Sequence, residues 1–405
     1  MGSGDCSRPA AGRMTVPGYR RVYDAPMDLP ESAPCVVVGG GIAGVAVAAH
    51  LAGLGLRGVV VLEREPNLGE GATARSAGGI RQQFSDPELV RAAQVSMRLI
   101  DDFARDTGVD PAFRRHGYLL LATERATAVR LRAEAEAQCA AGLPVEHLDA
   151  VGVRRRFPCI EVADVVAGNF CGSDGYLAPH ALVEGWRAVA RRGGTEFHTS
   201  REVIALETGG GRAEGVRVGP ARIAAPVVVV AAGAEAGPLL ASAGVCLPLR
   251  PMLRRIFFTR PLPELPRDLP LVLDLDRPFY FRPEGGGALL SLAEVEEGGR
   301  PEVVAADGEA MPDRLVERAI NRCPILGNAR LLRAWSGLRT LTPDDRPIVG
   351  EAPGVPGLWL DVGYGGHGIT HAPSLGLALA ESIVHGAPRT LPLDPYRADR
   401  AALSG

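Results

Sequence analysis

From Cys35 to Leu62 the chain reads CVVVGGGIAGVAVAAHLAGLGLRGVVVL, a run almost free of charge that a hydropathy window alone scores as a membrane span. Its glycines argue otherwise. The β-branched run Val36–Val38 predicts a strand, Ile42–Leu54 a helix and, after Gly58, Val59–Leu62 a second strand. Gly39, Gly41 and Gly44 form G-x-G-x-x-G between strand and helix, the context in which this spacing binds a dinucleotide. Gly39 permits the tight turn, Gly41 lets backbone amides approach a pyrophosphate, and Gly44 lets helix and strand pack closely. The helix N-terminus, with Ile42 and Ala43 in its first turn, faces the phosphates. Glu63 stands 19 residues after Gly44, where a carboxylate accepts from ribose hydroxyls and repels a 2′-phosphate; Arg64 beside it joins the predicted contacts. The expected fold is therefore α/β, built on a Rossmann domain.

The 405 residues leave room for a second domain, at roughly 150 residues per domain. A net charge of −3 gives no basic surface for nucleic acid, and all 44 Lys+Arg residues are arginine. Without lysine, pyridoxal-phosphate Schiff-base chemistry, lysine aldolases, Walker-A loops and protein kinases are excluded. Seven cysteines, odd in number and without a Cys-x-x-Cys pair, are expected to be reduced thiols. No metal-ligand spacing occurs: His367 and His371 lack the glutamate of a zinc-protease helix. The first 30 residues carry no signal-peptide run and are expected to be a flexible tail, with the cytoplasm as location and no integral membrane segment.

Beyond the fingerprint, amphipathic helices are expected between Asp86 and Ala141 and over Ala181–Arg192, strands over Glu202–Glu207 and Val227–Ala231, and a hairpin over Phe279–Leu292. Two features address a ligand longer than ADP. The small-residue segment Arg75, Ser76, Ala77, Gly78, Gly79 is suited to threading past a flavin, and the strand ending at Ala231 runs into Ala232 and Gly233, which can close over the pyrophosphate. Near the C-terminus, GYGGHGITHAPSLG predicts a glycine-rich loop and a helix starting near Ala372 with Pro373 in its first turn. The partial positive charge of that N-terminus would stabilise negative charge on a reduced flavin.

Four motifs agree in order with one family: the fingerprint, Val227–Gly233, WSGLRTLTPDDRPIVG (Trp335–Gly350) and GYGGHGITHAPSLG (Gly363–Gly376). The chain resembles the D-amino-acid oxidase superfamily of FAD enzymes from about Pro34 to Leu391. RSAGGIRQQFSDPELV and GYLLLA look most like the branch of sarcosine and dimethylglycine dehydrogenases and the mitochondrial complex I assembly flavoprotein. The resemblance implies a glutathione-reductase-like FAD/NAD(P)-binding Rossmann domain (31–85, 150–245, 333–400) interleaved with an antiparallel-sheet substrate domain (86–149, 246–332). It implies non-covalent FAD, because Gly337 stands where relatives carry the flavin-linked cysteine, and cofactor contacts that include Val203, Gly337, Gly365, Gly366, His367, Gly368, Ile369 and Thr370.

Arg339, in a G-[FL]-R segment, matches the arginine that holds the substrate carboxylate in D-amino-acid oxidases; pairing with Asp344 or Asp345 is its alternative. Tyr280 matches a tyrosine over the substrate, with a plain sheet aromatic as alternative. Arg282 shares its strand face and is a second anion-binding candidate. His367 is either a catalytic group or an ordinary capping histidine. The activity implied is hydride transfer from the carbon beside the nitrogen of an amino acid or N-methyl amino acid to flavin, giving an imine. Monomeric sarcosine oxidases use two lysines, one to activate oxygen and one where this chain has Thr370, so the acceptor is left open between O2 and a protein or quinone. A non-catalytic flavin-binding assembly role, or a tailoring enzyme for a larger amine, stands as the alternative. Substrate identity and oligomeric state are not legible.

Overall fold

A computed structural model describes residues 29–293, 296–297, 303–305 and 311–403. Cys6 and most of the expected tail lie outside them.

The apolar run at the fingerprint folds as strand Cys35–Val38, helix Ile42–Gly53 and strand Val59–Leu62. These enter a six-stranded sheet in the order Ile348–Glu351, Leu358–Val362, Val228–Val230, Cys35–Val38, Val59–Leu62, Glu196–His198. All neighbours are parallel except the first pair. The strands read as unbroken valines because both faces are covered. Cys35, Val37, Val59, Val61 and Val229 point into a helical layer, and the alternate residues Val36, Val38, Val60, Leu62, Val228 and Val230 pack on a three-stranded antiparallel sheet over Val203–Ala224.

The fingerprint helix is apolar all round because it is sandwiched between helices Pro179–Arg192 and Gly368–His385. That is what imitates a membrane span; no helix among the described residues is long and apolar enough to cross a membrane.

A larger, mostly antiparallel sheet runs Val303–Ala305, Leu331–Leu341, Arg250–Thr259, Gly287–Ser291, Phe279–Glu284, Leu271–Asp274, Tyr118–Ala122, Ala167–Cys171, Val145–Leu148. The expected hairpin is two of its strands. One face packs Leu119, Leu121, Phe257, Val272, Phe279 and Phe281 under helix Asp313–Arg322; the other carries Tyr118, Leu120, Ile256, Leu271 and Tyr280.

Three sequence expectations change. Ala167–Cys171 and Leu331–Leu341, placed at least partly in the nucleotide-binding part, are strands of the larger sheet, while helix Pro87–Asp101, placed in the cap, packs on the C-terminal helix. That helix starts at Gly368, so Pro373 lies inside it. There Pro373 cannot donate to the carbonyl four residues back, and its ring crowds that carbonyl; the Pro373 carbonyl itself accepts from His50 Nε2 at 3.0 Å. Cys246 is disulfide-bonded, whereas Cys35, Cys139, Cys159, Cys171 and Cys323 are free thiols.

Candidate active site

A cavity of about 890 Å³ runs from the fingerprint turn to the second face of the larger sheet. At the fingerprint end its geometry is set by backbone contacts. Gly39 has φ +109° and donates its N–H to the Leu62 carbonyl at 2.8 Å; a Cβ there would lie 2.4 Å from the Ala231 oxygen. A Cβ on Gly44 would lie 2.0 Å from the Gly39 oxygen, so Gly44 acts by packing and is not in the cavity wall.

Glu63 accepts from the Gly40 N–H at 2.7 Å and the Glu65 N–H at 2.8 Å, with burial lifting its pKa against those two bonds. Gly41 has no side chain to cap the helix, and Thr73 takes over: its Oγ1 accepts from the Ile42 N–H at 3.0 Å. Thr73 was missed in the sequence because its role depends on a contact 31 residues away.

The wall includes every expected cofactor contact except Gly44 and Thr370. Thr370 is buried beside it, its Oγ1 at 3.5 Å from the Arg81 N–H. A nucleotide with a long second half fits this shape: Gly39 and Gly41 open one end, and Arg75 Nε and Asp361 Oδ2, both on the wall, are buried without hydrogen-bond partners. Asp361, held by the Tyr364 hydroxyl at 2.5 Å, is raised to about 7 by burial. Gly337 lies against Arg75, whose Cβ is 2.7 Å from where a side chain at 337 would begin.

At the sheet end, pairing register decides which residues meet. Met252 stands opposite Arg339 and Arg254 opposite Gly337, so Arg254 and Arg339 are diagonal neighbours on one face. Tyr280, opposite Leu273, lies on the same wall. The Arg339 guanidinium lies against Gly366, where a Cβ would be 2.2 Å from its Nη2. Its Nε is buried and unpartnered; Asp344 instead binds Arg400 at 2.8 Å, and no hydrogen bond or ion pair joins Arg339 to Asp345 among the described residues. Burial, then the charge of Arg254, pulls Arg339 down to about 10.

Arg282 does not reach the cavity. It donates to the Ala77 and Pro283 carbonyls and to Glu284, which consumes the guanidinium expected to bind a second anion. Three arginines missed in the sequence do line the cavity: Arg201, whose N–H donates to the Glu63 carbonyl at the nucleotide end, and Arg254 and Arg81 at the sheet end. Arg81 donates to the Gln83 carbonyl, lies 4.0 Å over Phe84, and places Nη2 3.3 Å from His367 Nε2.

His367 sits at the N-terminus of the C-terminal helix. Burial, then the charges of Arg81 and Arg339, drives its pKa well below the usual histidine range. The ring is neutral, and Nε2, as acceptor for Arg81, carries no proton of its own. Tyr118 closes the wall with its hydroxyl against Gly79, which has no room for a Cβ.

A Rossmann layer whose nucleotide turn opens into a cavity roofed by an arginine-bearing antiparallel sheet defines a two-domain flavin-type oxidoreductase. The family model described as "DAO: FAD dependent oxidoreductase" matches residues 35–382, and the chain belongs to that family. Rat (Rattus norvegicus) mitochondrial dimethylglycine dehydrogenase is 28% identical over 413 residues, 96% of this chain and 48% of the relative. The chain thus spans about half the length of that protein. FAD-dependent oxidoreductase domain-containing protein 1 of Bos taurus is 30% identical, over 93% of this chain and 86% of its own. Among solved structures, L-proline dehydrogenase from P. horikoshii superposes with a TM-score of 0.83 at 26% identity, covering 91% of this chain and 98% of that one. The family is one of FAD-dependent oxidoreductases, and FAD is its cofactor.

Proposed function

We propose that the protein oxidises the C–N bond of an amino acid or N-substituted amino acid, with Arg339 gripping the substrate carboxylate. The observation that carries this reading is the unpartnered Arg339 guanidinium on the cavity wall, seated against Gly366 at the start of the C-terminal helix. A buried guanidinium without a counter-ion costs free energy unless an anion arrives, and a carboxylate matches its two-pronged donor geometry.

Bound FAD supplies the two-electron acceptor; the substrate becomes an imine, which water hydrolyses. Gly39, Gly41, Ala43 and Glu63 would hold the adenosine and pyrophosphate, and the Arg75–Gly79 segment and the Gly365–Ile369 loop would hold the ring. Arg339 orients the substrate, and Tyr280 and Tyr118 wall it from solvent. Such positioning contributes the larger part of catalysis when the amine enters neutral. His367 offers no vacant acceptor nitrogen toward the substrate while Nε2 faces Arg81, so it shapes the pocket and takes no proton.

The names of the relatives, dimethylglycine dehydrogenase and L-proline dehydrogenase, favour secondary or tertiary amines alongside primary ones. The test is an anaerobic titration of the yellow holoprotein with sarcosine, dimethylglycine, proline, iminodiacetate, and D- and L-amino acids, including aspartate and N-methylaspartate. Bleaching by a member of the panel is expected. A flavin that stays oxidised through the whole panel overturns the assignment.

A further inference from the structure

Three guanidinium groups meet at the sheet end of the cavity, and one monocarboxylate does not match them. Arg339 and Arg254 project from adjacent strands as diagonal neighbours, and Arg81 enters beside His367. None forms an ion pair among the described residues: Arg254 donates only to the Ala293 carbonyl and its Nε is buried without a partner, as is that of Arg339.

Asp345 and Glu134 act on Arg339 and Arg81 only through space, without a hydrogen bond or ion pair to them among the described residues, and the other nearby carboxylates are engaged elsewhere. Asp174 is held by Gln82 and Gln83, Asp344 by Arg400, and Glu63, Glu65 and Glu235 stand at the nucleotide end around Gly40 and Arg64. Asp361, the cavity carboxylate nearest in sequence to the flavin loop, is held by the Tyr364 hydroxyl, and burial raises its pKa to about 7. The pyrophosphate belongs at the fingerprint amides, at the far end, and leaves this charge unmet.

We propose that the substrate carries two carboxylates, one held by Arg339 and the second by Arg254 with Arg81 behind it: a short dicarboxylic amine or amino acid. This deepens the reading above and rests on it. Diagonal cross-strand neighbours stand about 7–8 Å apart at the backbone and converge through long side chains, which suits carboxylates separated by a few bonds. Gln at 254 would keep the strand and a donor for the Ala293 carbonyl without the second charge, which makes Arg254 the specificity determinant of this proposal.

The experiment uses the holoprotein at constant ionic strength and non-oxidisable probes: acetate, propionate, malonate, succinate and glutarate. Binding is read from perturbation of the flavin absorbance spectrum and from the thermal midpoint. The best dicarboxylate is expected to bind at least about ten-fold tighter than the best monocarboxylate, as a second charge-assisted contact predicts. In Arg254→Gln, with flavin content checked, that ratio is expected to fall to near one. Equal affinities in the unaltered protein, or a ratio that survives Arg254→Gln, overturn the proposal while leaving the Arg339 carboxylate site standing. No binding by any carboxylate overturns that site as well.

Anaerobic bleaching then locates the second carboxylate: aspartate or N-methylaspartate places it on the side chain, iminodiacetate on the nitrogen substituent. Sarcosine bleaching while all three stay silent overturns the dicarboxylate assignment.

Discussion

The two ends of the cavity are built by opposite means. At the nucleotide end, two glycines within six residues put backbone against backbone, and tolerance is measured in tenths of an ångström: Gly39 against Ala231, Gly44 against Gly39. At the sheet end, Arg81, Arg254, Tyr280 and Arg339 come from separate strands and loops, and the three arginines among them share unbalanced charge in a space left open. Binding of a common cofactor is thus written in short-range sterics. Choice of substrate is written in pairing register, where one residue of shift would turn Arg254, Tyr280 or Arg339 to the other face.

The strongest way to break this contrast is at Gly44. Alanine there must push the Gly39 carbonyl, which is backbone and cannot swing aside. The expected cost is at least about 3 kcal/mol, the upper range of overpacking, and Gly44→Ala should lose most of its flavin. The ratio of flavin to protein absorbance after gel filtration measures this. A variant that purifies fully yellow would show that the close approach is not required.

Arg339→Met makes the complementary cut. Loss of one charge-assisted carboxylate contact should raise KM on the order of 100-fold, about 3 kcal/mol, with flavin content retained. Steady-state kinetics and absorbance on one preparation separate the outcomes. A colourless Arg339→Met would place Arg339 with the cofactor and not the substrate.

Legibility in the sequence follows the same division. The fingerprint, Glu63, the hairpin and the glycine loop are contiguous patterns whose steric reasons are local, and each is where the sequence placed it. Arg254 and Arg255 are adjacent and alike; only strand pairing decides that the first faces the cavity. Arg282 had the right strand face for an anion, yet Glu284, two residues on, takes its charge. Thr73 caps a helix it does not belong to. Pro373 signalled a helix start, and the loop glycines allowed the helix to begin a turn earlier.

The C-terminal helix joins both ends and adds a pH dependence. His50 Nε2 donates to the Pro373 carbonyl and His371 Nε2 to the Leu89 carbonyl at 3.1 Å; burial lowers both histidines to about 4. Between pH about 6.5 and about 4 the unfolded chain binds protons that the fold refuses, so their stability contribution is full above that window and falls as pH drops. Each histidine adds a slope of up to about 1.4 kcal/mol per pH unit. Asp174, raised to about 6, and Asp361, raised to about 7, both by burial, oppose it as pH falls from neutral. Urea unfolding of the apoprotein at pH 7 and pH 5 should therefore show a shallower loss in His371→Gln than in the unaltered chain, by about one proton. Equal pH dependence would mean His371 protonates in place.

The smallest expected effect tests whether charge matters at all where sterics dominate. The Glu63 carboxylate accepts from two backbone amides and stands where ribose hydroxyls would donate. Glu63→Gln keeps the shape and one acceptor but turns an amide toward a donor, at a cost of about 1 kcal/mol. The FAD dissociation constant should rise roughly three- to ten-fold, read by fluorescence quenching as apoprotein is titrated with FAD, while the substrate KM of the reconstituted enzyme stays put. A loss as large as that of Gly44→Ala would make the nucleotide end electrostatic as well as steric, and the division between the two ends would then lie in which charges are already paired within the protein and which wait for a ligand.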